Sequence, residues 1–155
     1  MMNWLETYFR TFGGTMTKDI FWIHDKSLNM KILDNLNPQI RPVFIWDDMY
    51  FKRRGYSLKR LVFIYESLCA LPVEIIRGDI IEILLVLNPK KIKALYSVDS
   101  EIVNLTSRIS EKLNVELIKP KKFVQVSDKF NFKRFFNYWN KAKKTAFLNN
   151  GLPNA

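Results

Sequence analysis

Val73-Glu74-Ile75-Ile76-Arg77-Gly78-Asp79-Ile80-Ile81-Glu82-Ile83-Leu84-Leu85-Val86-Leu87 is the stretch that decides the fold. An apolar run of strand length, 73–76, meets a polar break, and a longer apolar run of helical length follows over 80–88. Gly78 lets the backbone turn off the strand, and Asp79 can cap the helix by accepting its free N–H bonds. A strand feeding a helix through so short a join is half of a β-α-β unit.

The same alternation continues in both directions. Upstream, 41–46 reads as a strand with Pro42 near its start, where a missing N–H does least harm. Asp47 and Asp48 end it as a turn signal, and 49–55 reads as a basic loop. Ser57 can cap a helix to about Leu71, with Leu58, Leu61, Val62, Tyr65, Leu68 and Cys69 on its buried side, and Pro72 closes it. Before these, 19–24 is a β-prone run, and 27–36 places Leu28, Ile32, Leu33 and Leu36 at helical spacing before Pro38. Downstream come a strand at 92–98, a helix at 101–113 with Val103, Leu105, Ile109 and Leu113, and a strand at 115–118. Strands alternating with helices at this interval predict an α/β, Rossmann-like three-layer sandwich whose five-stranded parallel sheet is covered on both faces. Ligands on such sheets bind beyond the carboxyl ends of the strands, near the reversal of strand order. Those ends are 24–26, 47–52, 77–79 and 99–101.

Composition bounds the rest. With 155 residues and 48% apolar content the chain can bury a real core. No apolar run approaches the roughly 20 residues that span a bilayer, so no membrane partner is expected. The start lacks the basic, apolar and small-residue regions of a secretory signal, which points to the cytoplasm. Cys69 is the only cysteine, which excludes an internal disulfide and a cysteine metal cluster. Residues 1–17 are expected to be an extension, with Met1 and Met16 both plausible starts, followed by an α/β domain at 18–120 and a basic aromatic segment at 121–155. The net charge of +10 favours a polyanion or an acidic protein surface. Much of it comes from Lys119, Lys121, Lys122, Lys129, Lys133, Arg134, Lys141, Lys143 and Lys144, opposed in that stretch only by Asp128.

Several motifs, in order, resemble the N-terminal α/β domain of the DNA photolyase and cryptochrome family. Phe21-Trp22-Ile23-His24-Asp25-Lys26, with Asn29 and Leu33, is similar to its first strand and loop, and Val43-Phe44-Ile45-Trp46-Asp47 to its second strand. Arg60, Phe63, Ile64, Glu66, Ser67 and Leu68 resemble the helix that follows, and Arg77-Gly78-Asp79 the next strand end. Ala94-Leu95-Tyr96 resembles the fourth strand. Phe132, Phe135, Phe136, Tyr138 and Trp139 resemble the aromatic segment that closes the domain and opens its linker. Ser27 stands where the family carries an Arg, and Asp48 where it carries a Pro.

The resemblance implies an accessory or antenna role in flavin-dependent DNA photorepair or blue-light signalling. It places the flavin adenine dinucleotide site, the lesion contacts and the tryptophan relay in a helical domain that 155 residues are too few to include. The chain is therefore expected to lack lyase activity alone and to work beside a helical flavin-binding photolyase domain in trans. Relatives often hold an antenna chromophore in the α/β domain. The deazaflavin or flavin pattern resembles Asp47, Lys52, Asp99 and Glu101 here, with Trp46 able to stack on a planar ring. The folate pattern is disfavoured because Val98-Asp99 replaces its Asn-Glu pair.

Plainer roles compete for the same residues. Asp99 and Glu101 suit helix capping and first-turn charge, and the Trp46 indole can fill a pocket as core. Ser27, Val98 and Trp46 together suggest a pocket partly degraded for the usual antennae, or holding no chromophore. His24, the only histidine, lacks the partners of a metal site or a triad and reads as a strand-end residue. Cys69 reads as a small core residue. The alternative function is a basic nucleic-acid-binding accessory protein, with DNA a partner through Lys121, Lys122, Lys133, Arg134, Lys141, Lys143 and Lys144 and the interleaved aromatics. The competing reading docks those aromatics on protein and leaves the lysines solvated. A nucleotide-binding domain of similar architecture is least favoured, because no Gly-rich phosphate loop follows any strand.

Overall fold

The computed structural model describes residues 19–28, 33, 36–119 and 134–146. The expected extension at 1–17, most of the first helix and the segment 120–133 lie outside them. The chain divides into two units, 1–119 and 120–155.

The first unit is a Rossmann-like α/β fold. Five strands, β1 (Ile20–Ile23), β2 (Arg41–Trp46), β3 (Glu74–Arg77), β4 (Ile92–Leu95) and β5 (Val115–Ile118), form one all-parallel sheet in the order β3-β2-β1-β4-β5. β1 is central: Ile20 pairs with Arg41 on one side and with Ile92 on the other. All four of its residues are buried, as expected of a parallel strand covered on both faces. The chain builds outward from β1 through β2 to β3, then crosses to β4 and β5, so strand order reverses between β1 and β4.

The helices follow the sheet's needs. Asp79 caps α3 (Ile80–Leu87), its carboxylate accepting from the N–H groups of Ile81 and Glu82 at 2.9 and 3.0 Å. Asn88 ends that helix in the left-handed conformation, φ 40°, which Asn tolerates better than most residues. α4 (Ser100–Ser110) buries Ile102, Leu105, Thr106 and Ile109, and Ser57 caps α2 (Leu58–Cys69). Leu33, the described helical residue between β1 and β2, is buried.

Four local expectations are corrected. The basic loop at 49–55 is instead a helix, α1 (Asp48–Arg53): Asp47 accepts from the Tyr50 N–H, Asp48 sits in the first turn, and Lys52 and Arg53 in the last, where each charge complements the helix dipole. Gly55 closes this turn at φ 62°, a conformation that side chains disfavour. On α2 the core-facing line is Ile64 and Leu68, buried, with Leu61 half-buried beside them, whereas Leu58, Val62, Tyr65 and Cys69 are exposed. The helix carries two apolar stripes, and the sheet takes the 61/64/68 stripe, so Cys69 is a surface thiol rather than a core residue. On α4, Val103 is exposed and Ile102 takes its place in the core. β4 ends at Leu95: the Tyr96 N–H still donates to the Ile118 carbonyl at 2.9 Å, and the chain then turns so that Asp99 caps α4.

The second unit is described through one helix, α5 (Phe135–Ala146). Among the described residues no helix is long and apolar enough to cross a membrane.

Candidate functional site at the carboxyl ends of the strands

Strand reversal between β1 and β4 should leave a crevice at their carboxyl ends. Here His24 spans it. Its Nε2–H donates to the Leu95 carbonyl at 3.0 Å, and its Nδ1 accepts from the Lys26 N–H at 3.3 Å, which requires a neutral ring. Burial lowers the His24 pKa, outweighing the opposing pull of the Leu95 carbonyl and the Asp25 carboxylate. Ser27 closes the same turn: its hydroxyl accepts from the His24 N–H and donates to the His24 carbonyl, both at 2.9 Å.

Next to His24 the buried Asp25 carboxylate gathers the polar side chains. Tyr50 donates to one oxygen at 2.8 Å, Tyr56 donates to the other, and Lys26 Nζ stands 3.2 Å from that second oxygen. Lys26 also donates to the Tyr56 hydroxyl at 2.8 Å. Burial and the neighbouring carboxylate push the Tyr50 hydroxyl far above the usual phenol range. Burial opposes the Lys26 charge, but the Tyr56 hydroxyl and Asp25 outweigh it and raise the ammonium pKa.

A basic rim surrounds this centre. Lys26, Arg54 and Arg60 stand 5.3, 5.8 and 5.8 Å from the Tyr56 ring centroid, a cation–π arrangement on one aromatic face set. Arg54 is held strongly charged, first by Tyr56, and it donates to Asp99 at 2.6 Å. Burial works against the Asp99 charge, yet the Ile102 N–H and the Arg54 guanidinium lower its pKa. Arg53 lies 3.8 Å from Glu101.

The residues singled out from sequence are thus distributed as follows. Asp99 and Glu101 share the rim with Arg53 and Arg54, and Asp99 also caps α4. Asp47 is buried and fully used: one oxygen accepts from the Tyr50 N–H at 2.8 Å, the other from the Ile80 N–H at 3.4 Å, tying α1 to α3. Trp46 is half-buried, donates to Asp48 at 3.1 Å, and lies edge-on to Phe51 and Tyr65. Lys52 is exposed on α1. Of the C-terminal cations, Arg134, Lys141 and Lys143 are exposed on or beside α5, Lys144 lies within α5, and Lys121, Lys122 and Lys133 lie outside the described residues.

Asp25, Tyr50, Arg54, Tyr56 and Arg60 were not singled out as site residues from sequence. Two tyrosines six apart around a Lys-Arg-Arg run carry no motif, and only folding of α1 brings their hydroxyls to one carboxylate.

Beneath the cluster the described side chains leave little space. The cavity lined by Trp22, His24, Asp25, Phe44, Tyr50 and Phe51 has a volume of about 10 Å³, at most the size of one water. A larger hollow of about 250 Å³, lined by Tyr96, Ser97, Val103, Thr106, Ser107 and Leu117, contains no charged side chain. Among the described residues no group of three His, Cys, Asp or Glu side chains can hold a metal ion. No protein-family model matches the chain, and no curated protein matches it.

Proposed function

We propose that the chain is a photolyase-like α/β domain acting as an accessory to a helical flavin-binding photolyase domain, with no antenna chromophore of its own and no lyase activity alone. One observation carries the second half of this reading. The hollow that Trp22 of β1 and Phe44 of β2 form with His24, Asp25, Tyr50 and Phe51 measures only about 10 Å³, too little for a planar chromophore. Aromatic cores repack reluctantly, since removing one such side chain typically costs about 3–5 kcal/mol.

Commitment of the polar groups supports the same reading. A ligand at Asp47 would have to break two hydrogen bonds to helix N–H groups. One at Asp99 would have to compete with Arg54. The motifs shared with the photolyase family and the β3-β2-β1-β4-β5 order support the first half.

The test is isolation of the tagged full chain from its native cells. The reading expects a flavin-carrying helical polypeptide to co-purify, its flavin bound to that partner. A chain that elutes without any flavoprotein, or with a stoichiometric chromophore of its own absorbing between about 350 and 450 nm, would contradict it.

A further inference from the structure

Helix α5 carries three exposed aromatic rings. Phe135, Phe136 and Trp139 are 66%, 72% and 37% exposed. The Phe135 and Trp139 rings are parallel to within 8°, with centroids 6.3 Å apart, and Phe136 meets Phe135 edge-on at 5.7 Å. Phe135, Trp139 and Lys143 follow one another at i, i+4 and i+8, so the two stacked rings and an exposed ammonium lie along one side of the helix. Arg134 is exposed at its start, and the sequence 135–146 contains no acidic residue. Three exposed aromatics on one turn and a half of helix are a solubility liability unless something covers them.

We propose that this stripe is a binding platform for single-stranded nucleic acid, in which unpaired bases stack on Phe135, Phe136 and Trp139 while Arg134 and Lys143 contact the phosphates. Charge complementarity selects the ligand: an all-cationic helix in a chain of net charge +10 matches a polyanion. The rings select the single strand, since unpaired bases offer flat faces that a duplex keeps stacked inside. An anionic membrane fits less well. A helix lying in a lipid surface keeps its apolar face free of charge, whereas here Lys143 continues the line of the rings and Asn140 lies beside Phe136. The proposal stands on α5 alone, so it can fail while the accessory reading survives.

The experiment uses the full chain and a fluorescein-labelled 20-mer of thymidylate, followed by anisotropy at 50 and 200 mM salt, with an unlabelled duplex of the same length and anionic phosphatidylglycerol vesicles as competitors. The expected result is single-strand binding that weakens with salt and that the duplex and the vesicles compete for poorly. Phe136→Ala, at a mostly exposed ring, should retain the far-UV circular dichroism spectrum and weaken binding by about five-fold or more. Lys143→Gln should weaken binding and reduce the slope of log affinity against log salt by about one. No binding at 50 mM salt would overturn the proposal. So would equal affinity for the duplex with no effect of Phe136→Ala, or displacement of the strand by vesicles.

Discussion

Removing the Asp47 carboxylate tests whether this residue is a structural tie or a ligand in waiting. Its two oxygens accept from the Tyr50 and Ile80 N–H groups, at 2.8 and 3.4 Å, and both contacts are buried. Loss of an N-cap costs about 1–2 kcal/mol. Leaving a buried N–H without an acceptor costs about 1–3 kcal/mol, and part of this is the same loss counted from the other partner. Asp47→Ala should therefore destabilise the protein by about 2–4 kcal/mol. With a urea slope of about 1–3 kcal/mol per molar, the unfolding midpoint should fall by about 1–2 M, read by tryptophan fluorescence. Asp47→Asn retains one carbonyl oxygen for Tyr50 and is an equally good cap, but its NH2 cannot accept from the Ile80 N–H, so it should lose about 1–3 kcal/mol, less than the Ala variant. If the Ala variant unfolds within about 0.3 M of the parent, the carboxylate is not engaged as described, and the argument that it is unavailable to a chromophore collapses.

Three further outcomes follow from the same structure. Because burial lowers the His24 pKa, the folded protein binds its proton more weakly than the unfolded chain. The His24 contribution is then fully present above the unfolded value of about 6.5 and is lost as pH falls from there toward the folded value. Urea midpoints at pH 7.5, 6.5 and 5.5 should fall for the parent and fall less for His24→Gln; parallel curves would refute the buried neutral ring. On α2, Leu68→Ala should cost about 2–5 kcal/mol, whereas Val62→Ala, at 44% exposure, should stay within about 0.5 kcal/mol in the same assay. Cys69, the only thiol, should react with a disulfide reagent in the native state as fast as a free surface cysteine, and protection until unfolding would return it to the core.

The strands and their parallel arrangement were legible in the sequence because each is a short apolar run bounded by a turn signal. β2 and β5 occupy the residues expected of them, and Asp79, Asp99 and Ser57 sit at the helix starts they mark. What escaped was rotation about an axis. α2 carries apolar residues at 58/62/65 and at 61/64/68, and periodicity gives no reason to prefer one stripe until a sheet is there to receive it. The helix at 48–53 escaped for a different reason. Six residues make fewer than two turns, and its stability comes from burying Tyr50 and Phe51 and from the Asp47 cap rather than from propensity.

The candidate site shows the same boundary. The strand ends were readable, and so was the capping role of Asp99. That His24 would stitch the β1–β4 crevice, or that two tyrosines would converge on Asp25, depends on positions up to 71 residues apart in sequence. No local pattern encodes those distances.

The central claim of the proposed function is that the described residues around the ends of β1 and β2 leave no room for a chromophore. Its most direct test is to incubate the purified full chain with excess flavin mononucleotide or a deazaflavin, desalt it, and record the spectrum between about 350 and 450 nm. The account predicts no retained absorbance. One chromophore per chain surviving desalting, and lost in a variant with Trp46 or Asp99 replaced, would contradict it.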